Sequence, residues 1–245
     1  MKALILAAGY ATRLYPLTKE YPKPLLEVKG RPIINYIVDK LEFISSIDEI
    51  YVVTNSKFIG VFRKWAKTVK SPKKITLVND LTKNNQDRLG SIGDINFVIT
   101  RKKIKDNLLV VGGDNLFDGS LKGFLSFAKK CFPAVNLGLY RLKQRKDASR
   151  YGVVGLDIHK KVISFEEKPR QPQSSLVAMC LYFIPQACLG LVGEYIRGRK
   201  NKIDAAGGYI AWLKDRADVY GYVFDGTWFD IGDYKYLNAA KEKFA

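Results

Sequence analysis

A loop of small residues, followed by two cations, is the strongest chemical feature of the sequence. Residues 6–18 read LAAGYATRLYPLT and come at the end of the apolar run 3–7, which predicts a buried strand. Small side chains let the backbone approach a ligand, and exposed amides in such a loop can bind phosphate oxygens. Arg13 offers a planar donor group suited to phosphate, and Lys23 offers a second positive charge. The pattern predicts a phosphate-binding loop.

This loop differs from the common phosphate-binding motifs. It lacks the Gly-Lys-Ser/Thr of a Walker A loop and the Gly-x-Gly-x-x-Gly of dinucleotide-binding proteins. A strand-to-helix turn without a ligand can have the same composition, so the loop alone leaves both interpretations open.

Two aspartates far apart in the chain are candidate metal ligands. Asp114 follows the apolar run 108–111, and Asp230 lies in the segment WFDIGD at residues 228–233. Ligands of an open α/β sheet gather beyond the carboxyl ends of its strands, where Asp114 is expected. Taken singly, each aspartate is equally typical of a turn or helix cap.

An adjacent acid and base could hold a phosphorylated polyol. Glu167 can accept hydrogen bonds from hydroxyl groups, and Lys168 can neutralise an anion. The segment Glu-Glu-Lys-Pro is, by itself, more typical of a surface turn.

Taken together and in order, these motifs resemble the nucleoside-diphosphate-sugar pyrophosphorylases, typified by glucose-1-phosphate thymidylyltransferases and uridylyltransferases. The resemblance covers residues 2–240. It is carried by the following segments: LAAGYATRL with the Lys-Pro at 23–24, GGDN at 112–115, YGVV at 151–154, FEEKP at 165–169 and WFDIGD at 228–233.

The resemblance implies transfer of a nucleoside monophosphate from an NTP to a sugar 1-phosphate, with pyrophosphate as the second product. It favours glucose 1-phosphate with dTTP or UTP. It implies catalytic roles for Arg13, Lys23 and Asp114, and Mg²⁺ bound by Asp114 and Asp230. The implied nucleotide-binding residues are Leu6, Ala7, Ala8, Gly9, Tyr10, Ala11, Thr12, Arg13, Lys23, Leu89 and Gly90. The implied sugar-phosphate residues are Tyr151, Gly152, Glu167 and Lys168.

The sequence departs from the family's pattern at three places. Ala11 and Cys180 each stand where glycine is usual. Residues 79–90 lack the base-reading pattern of thymidylyltransferases and keep only Leu89-Gly90. A repeat-rich acetyltransferase segment, which some members carry, is not expected in these residues.

The order of elements predicts an α/β fold of Rossmann-like type. In the first half, the apolar runs 3–7, 50–54, 75–78 and 108–111 alternate with the amphipathic segments 32–43, 57–69, 90–99 and 121–130. This alternation predicts a mixed, mostly parallel sheet flanked by helices. After residue 134, the closely spaced runs 135–140, 152–156, 162–166 and 177–183 predict antiparallel additions, and helices are expected at 189–197, 206–214 and 234–243.

We expect a single domain over residues 1–245. Residues 1–133 would bind the nucleotide, residues 134–230 the sugar phosphate, and residues 231–245 would form a C-terminal helix.

The strongly basic composition indicates anionic partners. The chain has 41 Lys and Arg against 24 Asp and Glu, a net charge of +17. One basic cluster surrounds the helical apolar stripe of Phe58, Phe62, Trp65 and Val69. We interpret it as a solvated helix face and expect small-molecule substrates rather than nucleic acid.

Other features narrow the class of protein. No apolar stretch approaches the ~20 residues that span a membrane, and the first apolar run ends at Gly9, at the short limit for a signal peptide. We expect a cytoplasmic protein without a membrane partner, and leave homo-oligomerisation open. The three cysteines contain no Cys-x-x-Cys pair and predict free, buried thiols, and His159 is expected in an exposed turn.

Three alternatives stay open at this point. The chain could transfer a cytidylyl group to another acceptor such as phosphocholine, because Thr82, Asn84 and Asn85 loosely resemble a segment of such enzymes. It could be a non-catalytic nucleotide-binding regulator. It could also bind nucleic acid, which its charge alone suggests.

Overall fold

The computed structural model describes residues 1–198 and 206–244. The strands in this part of the chain are β1 (Lys2–Leu6), β2 (Glu27–Val28), β3 (Arg31–Pro32), β4 (Glu49–Thr54), β5 (Lys74–Asn79), β6 (Leu108–Gly112), β7 (Asn115–Phe117), β8 (Val135–Arg141), β9 (Gly152–Leu156), β10 (Val162–Glu167), β11 (Leu176–Ile184), β12 (Val219–Phe224) and β13 (Trp228–Asp230). The α-helices are α1 (Ile33–Glu42), α2 (Ile59–Thr68), α3 (Gly90–Lys102), α4 (Leu121–Lys130), α5 (Leu189–Arg197), α6 (Ala206–Leu213) and α7 (Tyr234–Lys243).

A mixed sheet forms the centre of the fold. Its strand order is β10-β9-β11-β6-β1-β4-β5, and β8 pairs with both β11 and β12. Strands β6, β1, β4 and β5 are parallel, whereas β11 is antiparallel to β6, β8 and β9. The predicted fold class is confirmed, including the antiparallel additions. The parallel pair of β8 with β12 adds a strand that the sequence did not predict.

Helices cover both faces of this sheet because its central strands are apolar on both sides. In β1, Ala3 and Ile5 face one apolar cluster and Leu4 faces the other. Helices α1, α2 and α4 contribute to the first cluster, and α3, α5 and α6 to the second. The core therefore fixes where β1 and β6 end, and the loops after them carry the predicted site.

A short ribbon extends from the end of β6. Strand β7 pairs with β13 in an antiparallel ladder, in which Asn115 lies opposite Asp230. Ile231, just after β13, and Leu237, on α7, pack in a third apolar cluster with Leu14. The ribbon brings a late part of the chain to the carboxyl edge of the early parallel strands.

The structure also tests the predictions made for His159, the cysteines, the basic face of α2 and membrane spans. His159 is exposed in a turn, and the three cysteines are free thiols. Only Cys188 is fully buried, so the prediction of burial was wrong for Cys131 and Cys180, which are partly exposed. On α2, Arg63 and its basic neighbours are exposed while Phe62 and Trp65 are buried, as expected of a solvated face. Of the helices described, none combines the length and apolar character needed to cross a bilayer.

Candidate active site

The small-residue loop is held in place by main-chain and amide contacts from β4. The Ala7 amide donates to the carbonyl of Val53 at 2.9 Å. The buried Asn55 side chain donates from Nδ2 to the Ala8 carbonyl at 2.8 Å. These contacts leave Gly9 exposed, and a Cβ placed on it would meet nothing within 4 Å. The loop therefore presents open backbone to the cleft.

Ala11 turns the chain sharply after this backbone. It has a φ of 47°, in the left-handed region that favours glycine. Its carbonyl accepts hydrogen bonds from the Leu14 amide at 3.0 Å and the buried Thr18 hydroxyl at 2.8 Å. The turn that the family builds with glycine is thus kept with alanine. Thr12 and Arg13 follow it in a short 3₁₀ turn and are exposed.

The other predicted nucleotide residues lie behind or beside this loop. The carbonyl of Leu6 accepts from the Gly113 amide at 2.8 Å. Tyr10 is buried and its hydroxyl bonds with Thr82 at 3.1 Å, so its side chain points away from the cleft. Leu89 and Gly90 begin α3, after the segment that Tyr10 contacts through Thr82. Unlike Arg13, they do not line the pocket described below.

The two predicted metal ligands come together as expected. Asp114 directly precedes Asn115, the residue opposite Asp230 in the β7–β13 ladder. Lys23 forms an ion pair with the Asp114 carboxylate. Gly113 makes this approach possible, because a Cβ there would lie 2.7 Å from the Leu6 carbonyl oxygen and 3.2 Å from Pro24. Residues from three distant segments therefore meet at the end of β6.

The electrostatics of Asp230 reflect this convergence. Burial and then the Asp114 carboxylate raise the pKa of Asp230, and the cations Lys23, Arg13 and Arg150 oppose that rise. A divalent cation bound by the pair would favour the charged form of Asp230.

The donor set suits Mg²⁺ rather than a metal bound entirely by protein. In the described part of the chain, no group of three or more His, Cys, Asp or Glu side chains could hold a metal ion. Mg²⁺ is commonly held by one or two carboxylates together with water and substrate phosphates. Asp114 and Asp230 fit that requirement.

A small polar pocket lies next to this pair. It measures about 180 Å³ and is bordered by Arg13, Asp230 and all four predicted sugar-phosphate residues. Its lining comprises Arg13, Arg150, Tyr151, Gly152, Phe165, Glu167, Lys168, Ala178, Cys180, Tyr182, Gly207, Asp230 and Gly232.

The β9–β10 hairpin positions the predicted sugar-phosphate residues. Gly152 pairs with Glu167 across the two strands. Lys168 adopts a left-handed φ of 49°, and its amide donates to the Tyr151 carbonyl at 3.0 Å. The Lys168 Nζ lies 3.3 Å from the Glu167 carboxylate. A carboxylate and an ammonium group therefore lie side by side on the pocket wall.

Two glycines make room for the Glu167 side chain. A Cβ on Gly152 would lie 3.2 Å from Glu167 Oε2 and would also meet the Phe165 ring. A Cβ on Gly207, in the first turn of α6, would collide with the same carboxylate. Glu167 thus lies between the hairpin and the start of α6, where the positive end of the helix dipole favours an anion.

Arg150 is a pocket residue that the sequence did not single out. Its guanidinium donates to Asp233 at 2.9 Å and to the Tyr236 hydroxyl at 2.7 Å, and it lies over the Tyr236 ring. Asp233 also caps α7. Arg150 therefore ties the sugar-phosphate side of the pocket to the segment after Asp230. Its only sequence signal is its place directly before Tyr151-Gly152.

A second carboxyl pair lies outside the pocket. Asp80 and Asp94 are buried, and Thr82 donates to Asp80 through both its amide and its hydroxyl. Burial and the neighbouring Asp80 raise the pKa of Asp94 well above its usual range, and burial raises that of Asp80. The pair is joined to the nucleotide loop through the Thr82–Tyr10 contact.

Comparison with known proteins decides the family. A sequence model described as nucleotidyl transferase matches residues 2–245. The chain belongs to this family. The match confirms the resemblance found in the sequence motifs.

The curated relatives of this nucleotidyl transferase are longer proteins. A bifunctional protein GlmU from Methanocaldococcus jannaschii is 31% identical over 239 residues, which cover 95% of this chain and 51% of the relative. A protein named as a mannose-1-phosphate guanyltransferase from Sulfolobus acidocaldarius is 31% identical, covering 97% of this chain and 62% of the relative. The chain thus spans 51% and 62% of the lengths of these two relatives.

Solved structures share the fold over nearly the whole chain. One named as a glucose-1-phosphate thymidylyltransferase from Bacillus anthracis has a TM-score of 0.79 at 24% identity, covering 99% of this chain and 94% of that one. A UDP-glucose pyrophosphorylase complexed with UDP-glucose has a TM-score of 0.82 at 19% identity, covering 99% and 97%. At these identities, the likeness establishes the fold.

Proposed function

We propose that the protein transfers a nucleoside monophosphate from an NTP to a sugar 1-phosphate and releases pyrophosphate. The observation that carries the proposal is one cleft in which an open small-residue loop, the Asp114–Asp230 pair and the Glu167–Lys168 pair adjoin. The first pair of substrates to test is glucose 1-phosphate with dTTP or UTP. A relative whose name mentions mannose 1-phosphate makes that compound the next acceptor to test. N-acetylglucosamine 1-phosphate tests whether the pocket accepts a larger sugar.

In the proposed reaction, a phosphate oxygen of the sugar 1-phosphate attacks the α-phosphorus of the NTP in line. The bond from that phosphorus to the β-phosphate oxygen breaks, and pyrophosphate leaves with the electron pair. A phosphate monoester is already an anion near neutral pH, so no strong general base is required. The described site accordingly offers cations and carboxylates, while the exposed His159 lies in a remote turn.

The cations of the cleft have distinct proposed roles. Arg13 binds the β- and γ-phosphates and Lys23 stabilises charge that develops at the α-phosphate. Lys168 binds the phosphate of the acceptor, and Glu167 accepts hydrogen bonds from the sugar hydroxyls. These assignments follow the family resemblance, and they are supported by the Lys23–Asp114 ion pair and by the place of Arg13, Glu167 and Lys168 in the pocket lining.

Asp114 and Asp230 are proposed to hold Mg²⁺. The ion would supply charge neutralisation at the phosphates of both substrates. The protein's own contribution is to keep the two carboxylates together through the β7–β13 ladder and to place Lys23 beside them.

The proposal is tested by measuring pyrophosphate release over a matrix of NTPs and acceptors. The acceptors are glucose 1-phosphate, mannose 1-phosphate, N-acetylglucosamine 1-phosphate and phosphocholine, each with Mg²⁺ and with EDTA. We expect turnover with a sugar 1-phosphate that EDTA abolishes. Turnover with CTP and phosphocholine alone would identify a different acceptor class, and NTP binding without any turnover would identify a regulator; either outcome contradicts the proposal.

A further inference from the structure

We infer that the side chain of Cys180 is a specificity-determining wall of the acceptor pocket, which restricts the site to hexose 1-phosphates without a bulky substituent. The inference rests on the proposed function, because it assigns the same pocket to a sugar 1-phosphate.

The backbone at Cys180 has a conformation that normally belongs to glycine. Strand β11 pairs regularly with β8 up to Ala178 and again from Tyr182, with a shift in register between them. Cys180 lies within this irregular stretch at a φ of 54°, in the left-handed region. A glycine there would leave the adjoining space empty, whereas cysteine fills it with a methylene and a sulfur.

The side chain of Asn115 holds this irregular backbone in place. Its Nδ2 donates to the Met179 carbonyl and, at 3.4 Å, to that of Cys180. Its Oδ1 accepts from the Trp228 indole at 3.0 Å. Asn115 is buried and directly follows Asp114. The Cys180 backbone is therefore coupled to the turn that carries the proposed metal ligand and has little freedom to withdraw.

The Cys180 side chain lies between the carboxylate pair and the acceptor pocket. It lines the pocket with Glu167 and Lys168. A Cβ on Gly112, at the end of β6, would lie 3.3 Å from the Cys180 Cβ. The same Cβ would lie 3.3 Å from Asp114 Oδ1, so Cys180 forms the part of the pocket wall that is close to the carboxylate pair.

The size of the pocket sets the expected selectivity. Sites for drug-sized ligands measure about 300–1,000 Å³, whereas this one measures about 180 Å³. An acetamido group adds several heavy atoms to a hexose 1-phosphate, and a wall pinned by Asn115 does not yield to them. Because Cys180 lines the pocket, we expect removal of its side chain to enlarge the space for the acceptor.

The test compares glucose 1-phosphate with N-acetylglucosamine 1-phosphate in the wild type, Cys180→Gly and the near-isosteric Cys180→Ser. Glycine suits the left-handed φ, so Cys180→Gly is expected to fold. We expect its preference for glucose 1-phosphate, as the ratio of kcat/KM values, to fall by roughly tenfold, the effect of one or two pocket atoms. Cys180→Ser should keep the wild-type ratio. Cys131→Ser, which changes a cysteine at the end of α4, controls for loss of a thiol.

Isothermal titration calorimetry with the two sugar 1-phosphates gives a readout that does not depend on turnover. Relative binding of N-acetylglucosamine 1-phosphate should improve in Cys180→Gly. An unchanged ratio of both kcat/KM and Kd in that variant would overturn the inference while leaving the proposed reaction intact. Absence of pyrophosphate release from every pair in the wild type would instead overturn the proposed reaction, and the calorimetric ratio would still decide the role of Cys180.

Discussion

Two carboxyl pairs in this protein have the same chemistry and differ in their neighbours. Asp230 lines the polar pocket, and Lys23 forms an ion pair with its partner Asp114. Asp80 and Asp94 meet inside the protein, where burial raises the pKa of both groups. In the first pair, a metal ion and substrate phosphates can replace the ion pair between Asp114 and Lys23.

The second pair has no cation among the groups that shift the pKa of Asp94. Among the groups that influence the Asp94 pKa, burial and the Asp80 carboxyl both disfavour its charge, and its bond to Asp80 favours the protonated form. The difference shows that access and nearby cations, rather than the presence of two acids, separate a candidate metal site from a structural contact. It predicts that the outer pair governs turnover and the inner pair governs stability.

The largest expected effect is on turnover in Asp114→Asn. The change keeps the side-chain shape and removes the charge that would hold the metal ion, so we expect kcat to fall by roughly 100- to 1,000-fold or more. The free energy of unfolding should change by less than about 1 kcal/mol, because the lost ion pair with Lys23 is offset by relief of repulsion with Asp230. Steady-state pyrophosphate release and urea unfolding measure the two quantities.

The control for that experiment is Asp225→Asn, which removes an exposed carboxylate from the segment before β13. It should leave turnover within twofold of the wild type. Near-normal turnover in Asp114→Asn would refute the metal assignment, and equal losses in both variants would point to a general effect of net charge.

A smaller effect is expected in Lys168→Ala, which removes the cation from the acceptor side. Because a hydrogen bond to a charged group contributes about 1.5–3 kcal/mol, the KM for the sugar 1-phosphate should rise by roughly 10- to 100-fold. The KM for the NTP should stay within twofold, since the proposed contacts to the NTP phosphates are made by Arg13 and Lys23. Lys143→Ala, at an exposed position outside the pocket lining, is the matched control. An unchanged sugar-phosphate KM would remove Lys168 from the acceptor site.

Motif order and strand pattern predicted where the first aspartate of the Asp114–Asp230 pair lies. The apolar run 108–111 ends where β6 ends, so the position of Asp114 beyond a parallel strand followed from the sequence. The strand pairing that brings it to Asp230 was not predicted, because β7 and β13 have three residues each and carry no periodicity. Only the family resemblance implied that these two aspartates share a metal ion. Strand β12 was missed. Where helix limits differ from the predicted ones, the shift is one or two residues, as is common at fraying ends, except that α3 runs to Lys102, three residues past its predicted end.

The inner pair and the pocket wall could not have been predicted from local sequence. Asp94 lies on α3, where a charged residue normally indicates a solvated face, and only the packing of α3 against the sheet brings it to Asp80. The left-handed backbone of Cys180 is likewise set by tertiary contacts, since nothing about cysteine favours a positive φ. Tertiary structure, rather than residue type, decides both features.

The smallest expected effect is a change in pH dependence in Asp94→Asn. The folded-state pKa of Asp94 is raised above that of the unfolded chain, about 3.9. Its contribution to stability is therefore fully present below about pH 3.9 and is lost as the pH rises through the folded pKa. In that window, the wild type should lose about 1.4 kcal/mol of unfolding free energy per pH unit relative to the variant, which cannot ionise.

In Asp87→Asn, we expect the pH dependence of stability to change in the opposite direction. The amides of Lys83 and Asn84 donate to the exposed Asp87 carboxylate and lower its pKa, so its contribution is present above about pH 3.9 and is lost as the pH falls. Urea unfolding across the acidic and neutral range measures the unfolding free energy of each variant minus that of the wild type. This difference should rise with pH for Asp94→Asn and fall with pH for Asp87→Asn. Turnover of Asp94→Asn should stay within twofold, because the inner pair does not line the pocket. If the unfolding free energies of the wild type and Asp94→Asn change in parallel with pH, Asp94 does not govern the pH dependence of stability. If Asp94→Asn loses as much turnover as Asp114→Asn, catalysis does not depend on the Asp114–Asp230 pair alone.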